Sequence, residues 1–100
     1  RLEDLARELS YLARNYDVVL IDLGAGVEAH VRYLASLCTR CVMVVTDEPT
    51  SLTDAYAFIK LLQQEPREPE MQVVINQAAT QREGEATYQE LNKACTNFLR

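Results

Sequence analysis

Hydrophobic residues recur along the chain in two alternating spacings. Four segments carry them every three or four residues, which is typical of one face of a helix. These helical stripes are Leu2, Leu5, Leu9, Leu12 and Tyr16; Val31, Leu34, Ala35 and Leu37; Leu52, Ala55, Tyr56, Ile59 and Leu62; and Tyr88, Leu91, Cys95, Phe98 and Leu99. Between them lie three short segments rich in β-branched residues, at 18–21, 41–45 and 71–75. The first two are unbroken apolar runs, which predicts strands buried on both faces of a parallel sheet.

Strands that alternate with helices predict an α/β fold, with a mostly parallel sheet, flanking helices and right-handed crossovers. Ligands of such sheets bind beyond the carboxyl ends of the strands. The three strand ends carry Asp22, Thr46 followed by Asp47, and Asn76. We therefore expect polar groups from three strands to converge at one edge of the sheet.

Local signals place the boundaries of the third predicted helix. Ser51, with Asp54 three residues later, has the spacing of a capping box and predicts the start. Pro66 and Pro69 end the helix and force a loop, because proline lacks the backbone N–H that a helix uses. A length of 100 residues allows one domain. Since the chain begins at Arg1, without Met and already in helical phase, we expect it to be a piece of a longer protein.

Charge and hydropathy argue against a nucleic-acid-binding surface, a membrane-spanning segment and a signal peptide. The net charge of −5 and the pI near 4.8, with scattered basic residues, argue against a non-specific nucleic-acid surface, which needs clustered Lys and Arg. No apolar run approaches the roughly 18 residues that cross a bilayer, and the acidic, amphipathic start is unlike a signal peptide. We therefore expect an intracellular protein.

The cysteines include a C-x-x-C pair, Cys38 and Cys41, which raises the question of zinc or redox chemistry. A structural zinc site needs four ligands, and the other candidates are Cys95 and the single histidine, His30. We therefore interpret the pair as small apolar residues where a helix end runs into a buried strand.

The turn GAG at 24–26 follows the first predicted strand, and its residues alone leave several cofactors open. In a dinucleotide fingerprint these glycines would act with Ala29, and Asp47 lies about 20 residues further on, where an acid binds a ribose. Against this interpretation, Asp22 and Glu28 place negative charge where a pyrophosphate needs a positive dipole.

A second cofactor is S-adenosylmethionine. The segment VLIDLGAG at 19–26 looks like the first motif of class I S-adenosylmethionine-dependent methyltransferases. A carboxylate suits this cationic cofactor, and Asp47 or Glu48 at the next strand end would bind the ribose hydroxyls. Glu28 departs from the motif, because it stands where that family's third glycine lets the backbone approach the ligand.

A third interpretation makes Asp22 the acid that closes a Walker B strand in a phosphate-loop ATPase. Its carboxylate would hold a water on Mg²⁺. The turn 24–26 would offer a backbone N–H to a γ-phosphate and shift when that group leaves. The purely structural alternative is that Asp22 caps the next turn while the glycines serve tight geometry.

Five segments carry a resemblance to a known family. DEPTSLTDAYAFIK at 47–60 resembles the segment after the second core strand of the MinD/ParA-like ATPases of the FlhG/FleN/YlxH type, which set flagellar number and placement. YDVVLIDLGAG at 16–26 is similar to the same family's Tyr-Asp-x-x-x-Ile-Asp-x-x-Ala-Gly. VINQ at 74–77 is similar to its strand ending in Val-Asn, and the pairs at 83–84 and 98–99 are similar to its Glu-Gly helix start and Phe-Leu helix end. The resemblance covers essentially the whole chain.

The resemblance implies that 1–100 is the middle portion of a P-loop NTPase domain, from the Walker B/switch II strand to the adenine-side strand. Asp22 would then act catalytically in switch II and hold Mg²⁺ through water, and Gly26 would contact or sense the γ-phosphate. Leu23 departs from the family, which usually carries Thr at this position.

The resemblance also implies that Asn76, Gly24 and Pro49 bind the nucleotide. An Asn amide offers a donor and an acceptor side by side, which matches the edge of adenine. No G-x-x-x-x-G-K-[ST] phosphate loop occurs in the sequence. We therefore expect this chain alone to be inactive, while its parent protein binds ATP and Mg²⁺ and hydrolyses ATP.

By the same resemblance, the parent protein is a homodimer in the cytoplasm, peripheral to the inner face of the membrane through segments outside this sequence. Its partners would be a flagellar SRP-type GTPase and other flagellar regulators. In such folds the first strand of the complete domain lies between the strands that correspond to 18–22 and 42–46, and this sequence does not contain it. We therefore expect these two strands either to pair directly or to exchange with another copy, because unpaired strand edges favour association. A non-catalytic interaction module with a degenerate nucleotide site stays an alternative function.

Overall fold

The computed structural model describes residues 2–24, 26 and 28–98, without the side chain of Phe98. Its helices and strands are, in chain order, α1 (Leu2–Ala13), α2 (Ala29–Ser36), β1 (Arg40–Val45), α3 (Pro49–Leu62), β2 (Glu70–Ile75) and α4 (Gln81–Phe98). Helices that alternate with a small parallel sheet agree with the predicted α/β class. None of the helices in this part of the chain is long and apolar enough to span a bilayer.

The sheet consists of β1 and β2, paired in parallel from Arg40 beside Glu70 to Val45 beside Ile75. At the amino-terminal end, Nε of Arg40 lies 3.3 Å from Oε1 of Glu70. Both side chains are exposed, so this ion pair contributes little stability. At the carboxyl end, the backbone N–H of Asn76 donates to the carbonyl oxygen of Val45 at 2.7 Å, which extends the ladder by one residue.

One face of the sheet forms the core. Val45, Ala55 and Leu91 are buried and join the sheet to α3 and α4. On the opposite face, Val42 and Val44 are 52% and 62% exposed. The prediction that the strand at 41–45 is buried on both faces is therefore wrong, because α3, which joins β1 to β2, and α4, which follows β2, both pack on the same side.

The predicted strand at 18–22 is not part of the sheet, which has two strands in the described residues. Val18 is 75% exposed and Leu20 is 92% exposed, although both are strong strand formers. A strand exists only when a neighbour satisfies its backbone N–H and C=O groups, and β1 pairs with β2 alone. The predicted direct pairing of 18–22 with 42–46 is therefore wrong as well, while exchange with another copy stays a prediction.

The first helix is placed as predicted but packs differently. It contacts α2, and none of its residues is buried. Leu5 and Leu12 of the predicted stripe are 44% and 55% exposed. In α2, by contrast, the predicted core positions Val31 and Ala35 are buried.

The start of α3 differs from the prediction. The helix begins at Pro49, two residues before Ser51, and its N-cap is Glu48. Proline is favoured at this first helical position because its fixed φ suits the helix and its missing N–H is not needed there. Ser51 therefore lies inside the first turn and does not cap the helix.

The start of α4 carries a cap that was not predicted from the sequence. The Thr80 hydroxyl accepts the backbone N–H of Glu83 at 3.1 Å, and the Glu83 carboxylate accepts the backbone N–H of Ala79 at 3.3 Å. The signal was present as T-x-x-E at 80–83.

The buried stripe of α4 is close to the predicted one. Leu91 is buried and Cys95 is half-buried, as expected. Tyr88 is 41% exposed, however, and Thr87 lies buried in its place. The predicted contributions of the Phe98 side chain and of Leu99 lie outside the described residues.

Candidate site at the carboxyl edge of the sheet

Thr46 and Asn76 follow the two paired strands directly and come together at the carboxyl edge of the sheet. The hydrogen bond from the Asn76 N–H to the Val45 carbonyl fixes the two strand ends side by side. Thr46 is half-buried, whereas Asn76 and Asp47 are exposed. This edge is where parallel sheets bind ligands, so the sequence prediction for these two strand ends agrees with the structure.

The loop from Thr46 to Pro49 is held by side-chain hydrogen bonds. The Thr46 N–H donates to the Ser51 hydroxyl oxygen at 2.9 Å, in a partly buried position. The Glu48 N–H donates to the Thr46 hydroxyl oxygen at 3.4 Å. The Thr53 hydroxyl donates to the Pro49 carbonyl oxygen at 2.9 Å, within the first turn of α3. The loop is therefore tied both to the strand that precedes it and to the helix that follows.

The backbone turns sharply just after Asn76. Gln77 has a φ of 61°, in the left-handed region that a residue with a Cβ rarely adopts. Such a conformation costs about 1–2 kcal/mol per residue and persists only where the surroundings impose it. The turn separates Asn76 from α4 and leaves the Asn76 side chain exposed at the edge.

Asp22 is the predicted site residue that the sheet does not position. It is exposed and ends no strand, because 18–22 is unpaired. The expected convergence of three strand ends is therefore reduced, in the described residues, to the ends of β1 and β2. The residues at 18–22 are of the types that form strands, but among the described residues no neighbouring strand pairs with them.

The two glycines after Asp22 differ from each other. Gly26 has a φ of 115°, a conformation that favours glycine strongly, and a Cβ added to either glycine would meet nothing within 4 Å. Gly26 is thus required by the course of the backbone and not by close packing. Ala25, the middle residue of the predicted turn, lies outside the described residues.

An open depression of about 500 Å³ lies between β2 and the first turns of α4. Val73 and Ile75 line it from the sheet, and Thr80, Gly84 and Tyr88 line it from the helix and its cap. A Cβ on Gly84 would lie 3.5 Å from the Cβ of Ala78, so a small residue here lets α4 begin close to the strand end. The depression has an apolar wall and adjoins the edge that carries Asn76.

The cysteines agree with the interpretation as small apolar residues. Cys38 follows the end of α2 and donates to the Leu34 carbonyl oxygen at 3.4 Å, and Cys41 lies half-buried on β1. Burial raises the pKa of Cys38, Cys41 and Cys95, and the neighbouring Cys38 raises the pKa of Cys41 further. Thiols that keep their protons are poor nucleophiles. Among the described residues, no group of three or more His, Cys, Asp or Glu side chains is placed to hold a metal ion.

The chain matches one protein-family model and is similar to curated proteins. The model of the family described as cellulose biosynthesis protein BcsQ matches residues 1–90. The chain is 36% identical over 95 residues to the antiactivator FleN of Pseudomonas aeruginosa, a match that covers 95% of this chain and 34% of FleN. It is 35% identical over 83 residues to the flagellum site-determining protein YlxH of Helicobacter pylori, covering 83% of this chain and 28% of YlxH. The chain thus spans about a third of the length of these curated relatives.

Proposed function

Since the chain belongs to the MinD/ParA-like family, in its FlhG/FleN/YlxH branch, we propose that it forms part of an ATP-dependent switch that sets the number and placement of flagella. The observation that carries this proposal is the 36% identity to FleN over 95% of the chain. The names of FleN and YlxH, an antiactivator and a flagellum site-determining protein, support the flagellar role.

The proposed nucleotide roles rest on three places in the chain. Asn76, exposed beside Thr46 at the sheet edge, reads the edge of adenine with its amide. Pro49, at the start of α3, contacts the nucleotide from the loop on the other side. Gly24 and Gly26 give the backbone its turn towards the phosphates, which the φ of 115° at Gly26 supports.

Asp22 is the residue proposed to face Mg²⁺. An exposed carboxylate is the donor type that Mg²⁺ prefers, and Mg²⁺ is commonly held by one or two carboxylates together with waters and substrate phosphates. Asp22 therefore fits the cation as a single ligand acting through water. The bound metal would supply charge neutralisation at the phosphates. A phosphate cradle does not occur in this sequence, so the proposed hydrolysis belongs to the longer protein.

The proposed partners and location come from the family as well. Dimerisation and contact with flagellar regulators, including an SRP-type GTPase, are proposed for the parent protein. The proposed location is the cytoplasm, at the inner face of the membrane.

A chimera tests the function directly. We would replace the matching 95-residue segment of Pseudomonas aeruginosa FleN with this chain and count flagella in cells that lack their own FleN. We expect the chimera to restore the normal number of flagella. Asp22→Ala in the chimera should abolish this, because the proposed Mg²⁺-facing carboxylate is lost, whereas Glu90→Ala, which removes another exposed acid on α4, should not. A chimera that works equally well with Asp22→Ala would contradict the proposed switch role of Asp22.

A further inference from the structure

The hydroxyl of Ser51 performs a different task from the helix cap that its sequence position suggests. It lies in the first turn of α3 and accepts the backbone N–H of Thr46 at 2.9 Å. This bond crosses the loop that joins β1 to α3, and it lies partly out of solvent. Its role is to hold a strand end to a helix.

The hydrogen bond that Ser51 accepts and the hydrogen bond that Asn76 donates involve neighbouring residues, Thr46 and Val45. Thr46 follows Val45 directly, and the Val45 carbonyl accepts the Asn76 N–H at 2.7 Å. Val45 is 1% exposed, so this residue has little freedom to shift. Consecutive backbone groups at the end of β1 are therefore fixed on one side to α3, through Ser51, and on the other side to Asn76.

The same loop has a second tie that depends on Thr46 keeping its place. The Thr46 hydroxyl accepts the Glu48 N–H, and Glu48 is the residue that immediately precedes Pro49 and α3. Movement of Thr46 would therefore carry the entrance to the helix with it. Thr53, the next hydroxyl residue along α3, cannot substitute for Ser51 because it donates to the Pro49 carbonyl within the helix.

We propose that Ser51 is a positioning residue for adenine recognition, whose hydroxyl fixes the spacing between the Thr46–Pro49 loop and Asn76 through the end of β1. This inference rests on the proposed nucleotide role of Asn76 and Pro49. It adds a residue that touches no nucleotide and acts through the N–H of Thr46. Its ligand class is an adenine nucleoside held between the two strand ends.

The test uses the full 100-residue chain, labelled with nitrogen-15, and three variants. Ser51→Ala removes the acceptor, Ser51→Thr keeps a hydroxyl at the same place, and Thr53→Ala removes a hydroxyl that plays no part in the strand-to-helix bond. We would measure amide hydrogen exchange at Thr46 and Asn76, and then titrate adenosine and guanosine while following the Asn76 resonances.

In Ser51→Ala we expect the Thr46 amide hydrogen to exchange at least roughly tenfold faster, because its acceptor is gone. The Asn76 amide resonance should change its chemical shift, and the Asn76 amide hydrogen should also exchange faster. Adenosine affinity should fall several-fold, because Asn76 is then held less firmly at its spacing from the Thr46–Pro49 loop, although no hydrogen bond to the ligand is removed. Ser51→Thr should restore all three measurements, and Thr53→Ala should leave the exchange of the Thr46 and Asn76 amides unchanged.

The outcomes separate this inference from the function on which it rests. If Ser51→Ala leaves the exchange of Asn76 unchanged, or if Ser51→Thr fails to restore it, the positioning role is overturned even where adenosine binds. Adenosine carries no phosphate group, so its binding does not require the phosphate loop that is absent from this sequence. If the wild-type chain shows no preference for adenosine over guanosine at Asn76, the adenine assignment itself is overturned, whatever the exchange rates show.

Discussion

At the scale of single residues, the sequence indicates the strand ends well and the backbone strain poorly. Thr46 and Asn76 could be predicted because each follows an apolar run, and both lie at the sheet edge. The left-handed conformation of Gln77 could not be predicted, since Gln has no preference for it and the turn is imposed by the path from β2 to α4. Ser51 was assigned the wrong task because its spacing to Asp54 imitates a cap, while Pro49 begins the helix earlier.

The strain at Gln77 leads to a stability prediction. Gln77→Gly should stabilise the chain by about 0.5–1 kcal/mol, because glycine adopts a φ of 61° without a Cβ clash, and this gain of about 1–2 kcal/mol exceeds the cost of about 0.5–1 kcal/mol from its higher entropy in the unfolded state. The midpoint of urea unfolding measures it. Gln72→Gly is the matched control: this residue lies exposed on β2, outside the left-handed region, so glycine should cost about 0.5–1 kcal/mol there. Equal losses at both positions would show that the turn is not strained.

The cysteines lead to a prediction about pH. Burial raises the pKa of all three thiols, so iodoacetamide should alkylate each of them at a higher pH in the folded chain than in urea, because the thiolate is the reactive form. Since the pKa is higher in the folded state, the associated stability is present below the unfolded-state pKa and is lost as pH rises through the folded-state pKa. Peptide mass spectrometry across the pH series gives a profile for each cysteine.

A pair of serine variants checks the cause assigned to Cys41. Its pKa is raised first by burial and then by the neighbouring Cys38, so Cys38→Ser should move the alkylation profile of Cys41 to lower pH. Cys95→Ser, on α4, should leave that profile unchanged. A Cys41 profile that ignores Cys38 would exclude the proposed coupling between the two thiols.

At the scale of helices and strands, local patterns succeed where the cause is local. The four helices of the described residues were all predicted, because an apolar stripe depends only on the helix's own residues. The strand at 18–22 failed for the opposite reason, since its backbone needs a neighbour that the described residues do not provide. Val18 and Leu20 thus have strand propensity without strand structure.

The cap of α4 allows a prediction at this scale. Thr80→Ala should lower stability by about 1 kcal/mol, because the Glu83 N–H loses its acceptor at the start of the helix. Thr96→Ala, at an exposed position inside the same helix, should instead raise stability by a few tenths of a kcal/mol, since alanine is the better helix former. Urea unfolding of the two variants measures both changes in the free energy of unfolding, the expected decrease and the expected increase. A loss at both positions would mean that the Thr80 hydroxyl has no specific capping role.

At the scale of the whole molecule, the chain is less compact than its length allows. Its radius of gyration is 14.7 Å, whereas about 13 Å is typical of a compact domain of 100 residues. The excess has a visible cause, because α1 packs mainly against α2 without burying any of its residues, and the segment 18–22 belongs to no sheet in the described residues. The exposed face of β1, which carries Val42 and Val44, and the segment 18–22 therefore both present apolar side chains to solvent. Sequence patterns gave the apolar positions but not their exposure, since exposure depends on which elements pack together.

This exposed surface predicts that the chain associates with itself, because apolar side chains left in water favour any contact that removes them. Leu20→Lys on the segment 18–22 and Val44→Lys on the sheet face should each weaken association roughly tenfold, which corresponds to losing the burial of one large aliphatic side chain. Leu20→Lys should leave the stability of the monomer unchanged, because this side chain is 92% exposed, whereas Val44→Lys should lower it by less than about 1 kcal/mol, because lysine is a weaker strand former than valine. Gln89→Lys, which adds the same charge at an exposed position on α4, should leave association unchanged. Sedimentation equilibrium over a range of concentrations measures the constants. Weakening by Leu20→Lys but not by Val44→Lys would favour exchange of the segment 18–22 between copies, and a wild-type chain that stays monomeric throughout would contradict both routes.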